Sequence, residues 1–312
     1  MRVAVIIAAR NLAPFIGDAI SSILRQSHRD LALILVDDGS EDGTADRAAA
    51  ITDSRLHIIR QQGRGVSYAR NLGAAYPAAR DAEAFLFLDG DDWLGTDALA
   101  RLAAGLDRAP QAAAVQAPFA YVDEAATPEA AGRLDGRRVS GTDLLARLVL
   151  GNLFANGGHV LIRADAWAQS SGFREDLPFA EDWEFWLRLS LLGPIVPLGG
   201  PPLLFARRRQ GSSLMHGAAT RLAAYEPALA AIAGNAGLAA RLGPARLARL
   251  TRRARRELLW TVGREMLRRG QAAPALPLLR RGIGGRLRPQ RLLILARALW
   301  LTRRGMETTA ES

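Results

Sequence analysis

Three carboxylates, Asp89, Asp91 and Asp92, stand within four positions at the end of an unbroken apolar run in the stretch FLFLDGDDWL. Like charges this close repel, so the arrangement costs stability unless a positive group sits among them. Residues i and i+2 at a strand end can turn toward one point when the residue between them permits an unusual backbone, and Gly90 does. Hard oxygen ligands that leave coordination positions open suit Mg2+ or Mn2+ bound jointly with substrate phosphates. The competing reading is a solvated turn that caps the next helix through Asp92 or Thr96.

Three further stretches carry residue types of the same kind. Asp37-Asp38-Gly39-Ser40 closes an earlier apolar run, and one carboxylate there could accept the imide N–H of a pyrimidine base. Its alternative is helix capping by Ser40 or Asp42, with acids favoured near a helix N-terminus. In GRGVSYARNLG, Gly63 and Gly65 form a loop that backbone amides could line, and Arg70 follows one to two turns into a helix. Helix N-termini and arginine both favour phosphate oxygens. In PFAEDWEFWLRL, Glu181 and Asp182 open a helix, either as caps or with Asp182 projecting into a cleft as a general base.

The elements that must position these groups alternate along the first ~95 residues. Val3–Ala9 is a strand, Phe15 to Leu24 has helical spacing, and LALILVDDGS is a second strand. Asp42 to Ile51 is helical, LHIIRQ is a third strand, GVSYARNLGAAY a helix and AFLFLDGDD a fourth strand. Alternating strands and helices imply βαβ units and a mostly parallel sheet covered on both faces. Ligands of such sheets bind beyond the carboxyl ends of the strands, where both acidic clusters fall. Farther along, Thr96 to Leu106 reads as a helix, AAAVQAPFAYVD as one strand and Glu124 to Arg138 as a loop. GTDLLARLVLG reads as a helix, NGGHVLIRADAW as a strand, Glu181 to Leu192 as a helix, and LLFARRRQGSSLMH closes the region. After about residue 216 the pattern becomes arginine-studded helices broken at Gly243-Pro244, Pro274, Pro277 and Gly282–Gly285.

The 312 residues allow one large domain or one domain with an appendage, and 49% apolar content supports a sizeable core. With no cysteine there is no disulfide, thiolate metal site or cysteine nucleophile, which fits a reducing cytosol. All 41 basic residues are arginine. The opening MRVAVIIAARN reads as a first buried strand rather than a signal peptide, because its apolar run stops at Arg10 with no cleavage site after it. No run of apolar residues is long enough for a transmembrane helix. Between Arg241 and Arg304, 18 arginines face two acids, so the net +10 divides into +16 there and about −6 elsewhere.

Taken in order, VAVIIAARN, VDDGSEDGT, QGRGVSYARNLG, FLFLDGDDW and AEDWEFWLRL resemble the inverting family-2 glycosyltransferases of GT-A fold, over roughly residues 1–215. The resemblance implies an α/β, Rossmann-like nucleotide-sugar-binding domain with a mostly parallel central sheet (residues 1–216), followed by a basic helical extension (217–312). It implies Asp38 as the acid contacting uracil with Asp37 its neighbour, Arg70 near the diphosphate, and Gly90 with Asp89 against the nucleotide sugar. Asp89 and Asp91 match the acids that hold Mn2+ or Mg2+, with Asp92 adjacent, and Asp182 matches the catalytic base beside Glu181. His159 falls where the family lines the acceptor cleft, although a lone histidine there also reads as structural. Trp183 and Trp186 could stack on a sugar, but their spacing also suits a core. The sequence departs from the family in ARRRQGSS, where Arg209 stands at the usual histidine and would pair with phosphate directly. It departs again at Ala8, where relatives often carry a hydroxyl-bearing or aromatic residue near the base.

The implied activity is transfer of a sugar, with inversion, from a nucleoside-diphosphate sugar (a UDP-sugar favoured) to a glycan or lipid-linked acceptor in bacterial surface polysaccharide synthesis. A non-catalytic homologue that only binds nucleotide or glycan is the alternative; a nucleotidyltransferase lacks support, since the chain has no lysine. The expected location is cytoplasmic, or peripheral at the inner face of the membrane. Residues 286–304 could lie on an anionic surface, with arginines at the headgroups and Trp300 at the interface. Intramolecular packing or a homodimer contact are the other readings of this segment, and nucleic-acid binding is the weakest.

Overall fold

The computed structural model describes residues 1–128, 136–137, 139, 141–209, 220–284 and 289–310, with side chains of the last helix described as far as Arg303. The chain divides into two units, Met1–Leu145 with Asn152–Arg209, and Ala146–Gly151 with Gln210–Ser312.

The first unit is built on a seven-stranded sheet of order β3-β2-β1-β4-β8-β6-β9. Its strands are β1 (Val3–Ala9), β2 (Leu31–Asp38), β3 (Leu56–Gln61), β4 (Ala84–Asp89), β6 (Ala114–Gln116), β8 (Val160–Arg163) and β9 (Ile195–Pro197). Pairings β1–β2, β1–β4, β2–β3 and β6–β9 are parallel; β8 runs antiparallel to both β4 and β6. The near-continuous apolar runs of β1, β2 and β4 follow from burial on both faces. Helix α1 (Ile16–Leu24) buries Ile16, Ala19, Ile20 and Ile23, the three- and four-residue spacing of one helical face. Helices α2 (Thr44–Ala49), α3 (Val66–Ala74) and α4 (Ala98–Asp107) follow in the alternation expected. A smaller sheet joins β5 (Trp93–Leu94), β10 (Leu204–Arg208) and β7 (Phe119–Asp123), with β10 between the other two. Helices α5 (Leu144–Leu150), α6 (Ala164–Ser170) and α7 (Glu181–Leu192) complete the described segments as far as Arg209.

Several boundaries differ from the sequence reading. AAAVQAPFAYVD is two strands in different sheets, because Pro118 has no N–H for a ladder and breaks the run between β6 and β7. NGGHVLIRADAW contains a strand only over Val160–Arg163, preceded by a 3-10 turn and followed by α6. The helix expected from Asp42 starts at Thr44, since the Asp42 carboxylate accepts the backbone N–H groups of Ala13 and Thr44. Most of the Glu124–Arg138 loop and of the QGSSLMH stretch lies outside the described residues.

The second unit contains α8 (Glu226–Ala233), α9 (Ala236–Leu242), α10 (Pro244–Arg268), α11 (Ala272–Gly282) and α12 (Pro289–Ala310). Its core gathers Trp260, Ala275, Leu279 and Ala298, with Ile294 and Leu295 packed against them. Gly282 lets α11 approach α10 closely, as a Cβ there would stand 2.5 Å from the Trp260 amide nitrogen. Arg291 lies over the Trp260 ring and pairs with Glu257. Pro274 and Pro277, expected to break helices, both lie within α11. Pro274 sits in the first turn, where its missing N–H removes no helical bond.

The approach of α3 to the large sheet depends on one residue. A Cβ on Gly73 would stand 2.6 Å from Ile6 Cγ2 and 3.2 Å from Val36 Cγ2. Gly73→Val is therefore expected to cost ~1–3 kcal/mol through overpacking, read as a lowered midpoint in urea denaturation. An unchanged midpoint would contradict this contact.

Candidate active site

Parallel register brings the ends of three strands together. Ala8 is aligned with Asp89 on β4, and Ala9 with Asp37 on β2. The acidic turn follows β4 directly and is closed by the Asp92 amide donating to the Asp89 carbonyl at 3.1 Å. Gly90 serves this turn sterically: a Cβ would meet Leu12, Ile16 and Ile7 at 2.9–3.3 Å. Its φ is not positive, so close packing and not an unusual backbone is what requires glycine there.

The three acids occupy different environments. Asp92 is buried and both its oxygens are engaged, Oδ1 by the Arg207 amide at 2.7 Å and Oδ2 by the Asn156 side chain. Burial pushes its carboxyl well above the usual range, and Asp91 and Asp89 add to the effect. Asp92 is thus an internal brace and has no oxygen turned to a ligand. Asp91 is 20% exposed and pairs through Oδ2 with Arg209 at 3.3 Å. Burial and the charge of Asp89 raise its carboxyl, against the pull of Arg209. Asp89 is 36% exposed and accepts a hydrogen bond from Arg70 on Oδ1 at 2.8 Å.

Arg70 projects from α3 and is buried. Its other terminal nitrogen donates to Glu181 Oε1 at 2.7 Å, so one guanidinium joins the acidic turn to the start of α7. Burial opposes its charge, and Asp89, Glu181 and Asp182 outweigh that opposition to hold it protonated. Asp182 follows Glu181. Its Oδ1 accepts the Trp183 amide and its Oδ2 accepts the Asn152 side chain, both at 2.7 Å. Burial, followed by the Glu181 charge, pushes Asp182 up to about 7, while Arg70 and the two hydrogen bonds pull it down. Ala180, just before α7, has φ 58°, a left-handed conformation that a residue with a Cβ adopts at a cost.

A second clamp comes from β10. The Arg207 side chain donates to the Asp91 carbonyl at 2.8 Å, to Asp18 Oδ2 at 2.7 Å and to the Ala126 carbonyl at 2.8 Å. Its guanidinium lies over Phe15 and Trp93. Neither Arg207 nor Asn156 and Asn152 was singled out in the sequence. The only local signal was the arginine run itself, and the asparagines carried none.

At the β2 end the geometry departs from expectation. Asp38 accepts Gln61 Nε2 and the Arg64 amide on Oδ1 at 2.6 and 2.7 Å, and the Gly65 amide on Oδ2 at 2.8 Å. Its carboxylate organises the glycine loop through these three N–H donors. Asp37 is also buried and accepts the Ser40 amide and hydroxyl. His159, which the resemblance sets in the acceptor cleft and which as a lone histidine also reads as structural, is fully buried between Phe119 and Phe154. Its Nδ1 meets the Ala117 carbonyl at 2.7 Å and its Nε2 accepts the Ala155 amide at 3.3 Å, which assigns the neutral Nδ1–H tautomer. Burial lowers its pKa to about 4. Trp183 and Trp186 are buried core residues.

Among the described residues no three or more His, Asp or Glu side chains are grouped to hold a metal by themselves. Arg70 engages Asp89 at Oδ1 and Arg209 engages Asp91 at Oδ2, so Asp89 Oδ2 and Asp91 Oδ1 take no hydrogen bond from another described residue. That donor set fits a Mg2+ or Mn2+ ion that brings phosphate and water for its remaining positions.

The sequence profile of Glycosyl transferase family 2 matches residues 4–167. The chain is 39% identical over 102 residues to the uncharacterized glycosyltransferase EpsJ of Bacillus subtilis, covering 32% of this chain and 29% of that protein. It is 32% identical over 94 residues, 30% of this chain and 36% of the other, to the Escherichia coli UDP-Glc:alpha-D-GlcNAc-diphosphoundecaprenol beta-1,3-glucosyltransferase WfgD. The matched stretch spans 29% and 61% of the first two curated relatives' own lengths. In fold, the chain is similar to Staphylococcus aureus TarS 1–349 in complex with UDP-GlcNAc, with TM-score 0.62 and 18% identity over 100% of this chain and 92% of that one. It is also similar to the mannosyltransferase PcManGT of Pyrobaculum calidifontis in complex with GDP-Man and Mn2+, with TM-score 0.57 and 19% identity over 100% and 88%. The fold is GT-A.

The Asn152 hydrogen bond favours the ionised form of Asp182, so its removal raises the pKa. In carboxyl-13C NMR, Asp182 is expected to titrate near 7 in the wild type and about one unit higher in Asn152→Ala. An unmoved midpoint would overturn this reading of the pair.

Proposed function

This chain belongs to Glycosyl transferase family 2, and from that premise we propose that it transfers a sugar, with inversion, from a nucleoside-diphosphate sugar to a hydroxyl of a glycan or lipid-linked acceptor. A UDP-sugar is the favoured donor and bacterial surface polysaccharide the favoured product. The observation that carries the proposal is the Arg70 bridge, 2.8 Å to Asp89 and 2.7 Å to Glu181. It makes the end suited to a diphosphate and the end suited to a base parts of one site.

Asp182 takes the proton of the attacking hydroxyl. A base with a pKa near 7 combines a useful ionised fraction with a useful affinity for the proton. Asn152 and the Trp183 amide hold its two oxygens in orientation. Glu181 anchors Arg70 and raises Asp182 by its charge. Asp89 and Asp91 would hold Mn2+ or Mg2+, which when bound supplies positive charge for the departing nucleoside diphosphate. Arg70 and Arg209 already face these acids, and Arg209 is suited to pair with phosphate once Asp91 is engaged elsewhere. WfgD and the TarS complex support a UDP-sugar, and the PcManGT complex supports the cation.

Calorimetric titration of UDP, GDP and dTDP, with and without Mn2+, tests the donor site. Mn2+-dependent binding of UDP that is lost in Asp91→Asn is expected. Binding of none of the three nucleotides would overturn the proposal. Nucleotide binding without sugar transfer to any acceptor would favour the non-catalytic alternative.

A peripheral location at an anionic membrane belongs to the same reading. No described helix is long and apolar enough to cross a membrane. Helix α12 nevertheless exposes Leu293 at 71%, Trp300 at 52% and Leu292, interspersed with Arg297 and Arg303. This pattern suits the headgroup boundary. Co-sedimentation with phosphatidylglycerol vesicles well above that with phosphatidylcholine is expected, and equal, negligible binding to both would sink the membrane contact.

A further inference from the structure

Three consecutive arginines, Arg207 and Arg208 at the end of β10 and Arg209 just after it, do not act alike. Arg207 and Arg209 bind the acidic turn. Arg208, by strand alternation, emerges on the opposite face and is exposed. In the parallel register of β7 and β10, Tyr121 stands opposite Ala206 and Asp123 opposite Arg208, so Tyr121 and Arg208 share that face. The Arg208 guanidinium carbon lies 4.4 Å from the Tyr121 ring centroid. A second guanidinium, that of Arg137, lies over the same ring at 5.1 Å. Arg137 is held there by its backbone, which exchanges hydrogen bonds with Phe119 at 2.7 and 3.1 Å.

Two cations against one exposed ring repel each other, the acidic turn's problem with the sign reversed. Among the described residues neither Arg137 nor Arg208 forms an ion pair, and Asp123 makes none with Arg208 although the two are neighbours in register. Both guanidinium groups lie over the Tyr121 ring, a cation–π contact that leaves their N–H donors without a carboxylate partner among the described residues, and guanidinium N–H groups match phosphate oxygens. Tyr121, 38% exposed as a residue, adds a hydroxyl donor to the same face.

A series of ring contacts runs from this face through the core to the helix that carries Asp182. Tyr121 packs edge-on against Phe119, Phe119 against His159, His159 against Phe154 and Phe154 against Trp186 of α7, with successive centroids 4.8–5.5 Å apart. Trp186 is one helical turn from Asp182. The charge of Asp92 also reaches Tyr121: burial raises the Tyr121 hydroxyl, the two arginines oppose this, and Asp92 reinforces it.

The geometry points to an anion subsite for the acceptor, formed by Arg137, Tyr121 and Arg208, that takes a phosphate group carried next to the acceptor sugar. It rests on the transferase reading above and specifies the acceptor class. The donor diphosphate has its own partners in Arg70, Arg209 and the cation that Asp89 and Asp91 would hold, so the two phosphate-bearing substrates would be held by different cations.

Calorimetry with three probes at fixed ionic strength tests it: decyl N-acetylglucosaminyl diphosphate, the uncharged decyl N-acetylglucosaminide, and sugar-free phosphatidylglycerol vesicles. The wild type is expected to bind the charged glycoside about tenfold more tightly than the neutral one. That preference is expected to fall below about threefold in Arg208→Ala, Arg137→Ala and Tyr121→Ala, and to be largely kept in Tyr121→Phe, which retains the stacking ring. Mn2+-dependent UDP binding, measured on the same samples, reports folding and the donor site separately, so its loss in the wild type strikes the transferase reading and not this subsite alone. Equal affinity for the two glycosides, no detectable binding of the charged one, or a preference that survives all three alanine variants would overturn the inference. Vesicle binding that depends on Arg137 and Arg208, without a preference between the soluble glycosides, would overturn it in favour of a headgroup contact.

Discussion

The bidentate engagement of Arg70 is the constraint on which the rest of the site depends. A guanidinium taken out of water is tolerated only when its donors meet charge, and here Asp89 and Glu181 provide it from opposite sides. Its position is a consequence of packing three residues farther along α3. With no Cβ at Gly73 the helix settles onto Ile6 and Val36, and the arginine reaches the ends of β1 and β4. Steric fit between a helix and a sheet therefore decides the electrostatics of a site formed by loops.

Around that cation the acidic turn resolves its own repulsion in three ways. Asp92 withdraws into the interior, where an amide and an asparagine satisfy it. Asp91 keeps an arginine partner and partial exposure. Asp89 shares Arg70. The turn is held from behind by Arg207, which binds its backbone and not its ligand-facing oxygens. Support of this kind leaves one oxygen each of Asp89 and Asp91 without a described partner, as the proposed metal–phosphate site would need.

The acids at the β2 end illustrate the opposite outcome. Asp38 sits one residue past Asp37 and has the composition of a binding group, yet three N–H donors of the neighbouring loop saturate it. Asp182 accepts two, and burial followed by the charge of Glu181 raises its proton affinity against them. Donor count, burial and neighbouring charge together decide how strongly each acid holds its proton.

Much of the first unit was legible in the chain. Continuous apolar runs for β1, β2 and β4, helical spacing in α1, and acids at the strand ends follow from local composition, because burial on both faces demands apolar residues and parallel order puts ligands at one edge. The identities of Asp89, Asp91, Arg70 and Asp182 were likewise present as residue types in a recognisable order. Pro118 was visible but its effect, sending β7 to a second sheet, depended on β5 and β10 being there to receive it. Pro277 was read as a break and lies inside a helix whose other face is packed. Only the tertiary structure decided which carboxylates face solvent, that Asn152 reaches Asp182, that Arg207 reaches Asp18 across 189 positions, and that His159 is enclosed by aromatic rings. A side chain's partner is chosen by register and packing among segments distant in the chain, and neither leaves a periodic trace at the residue itself.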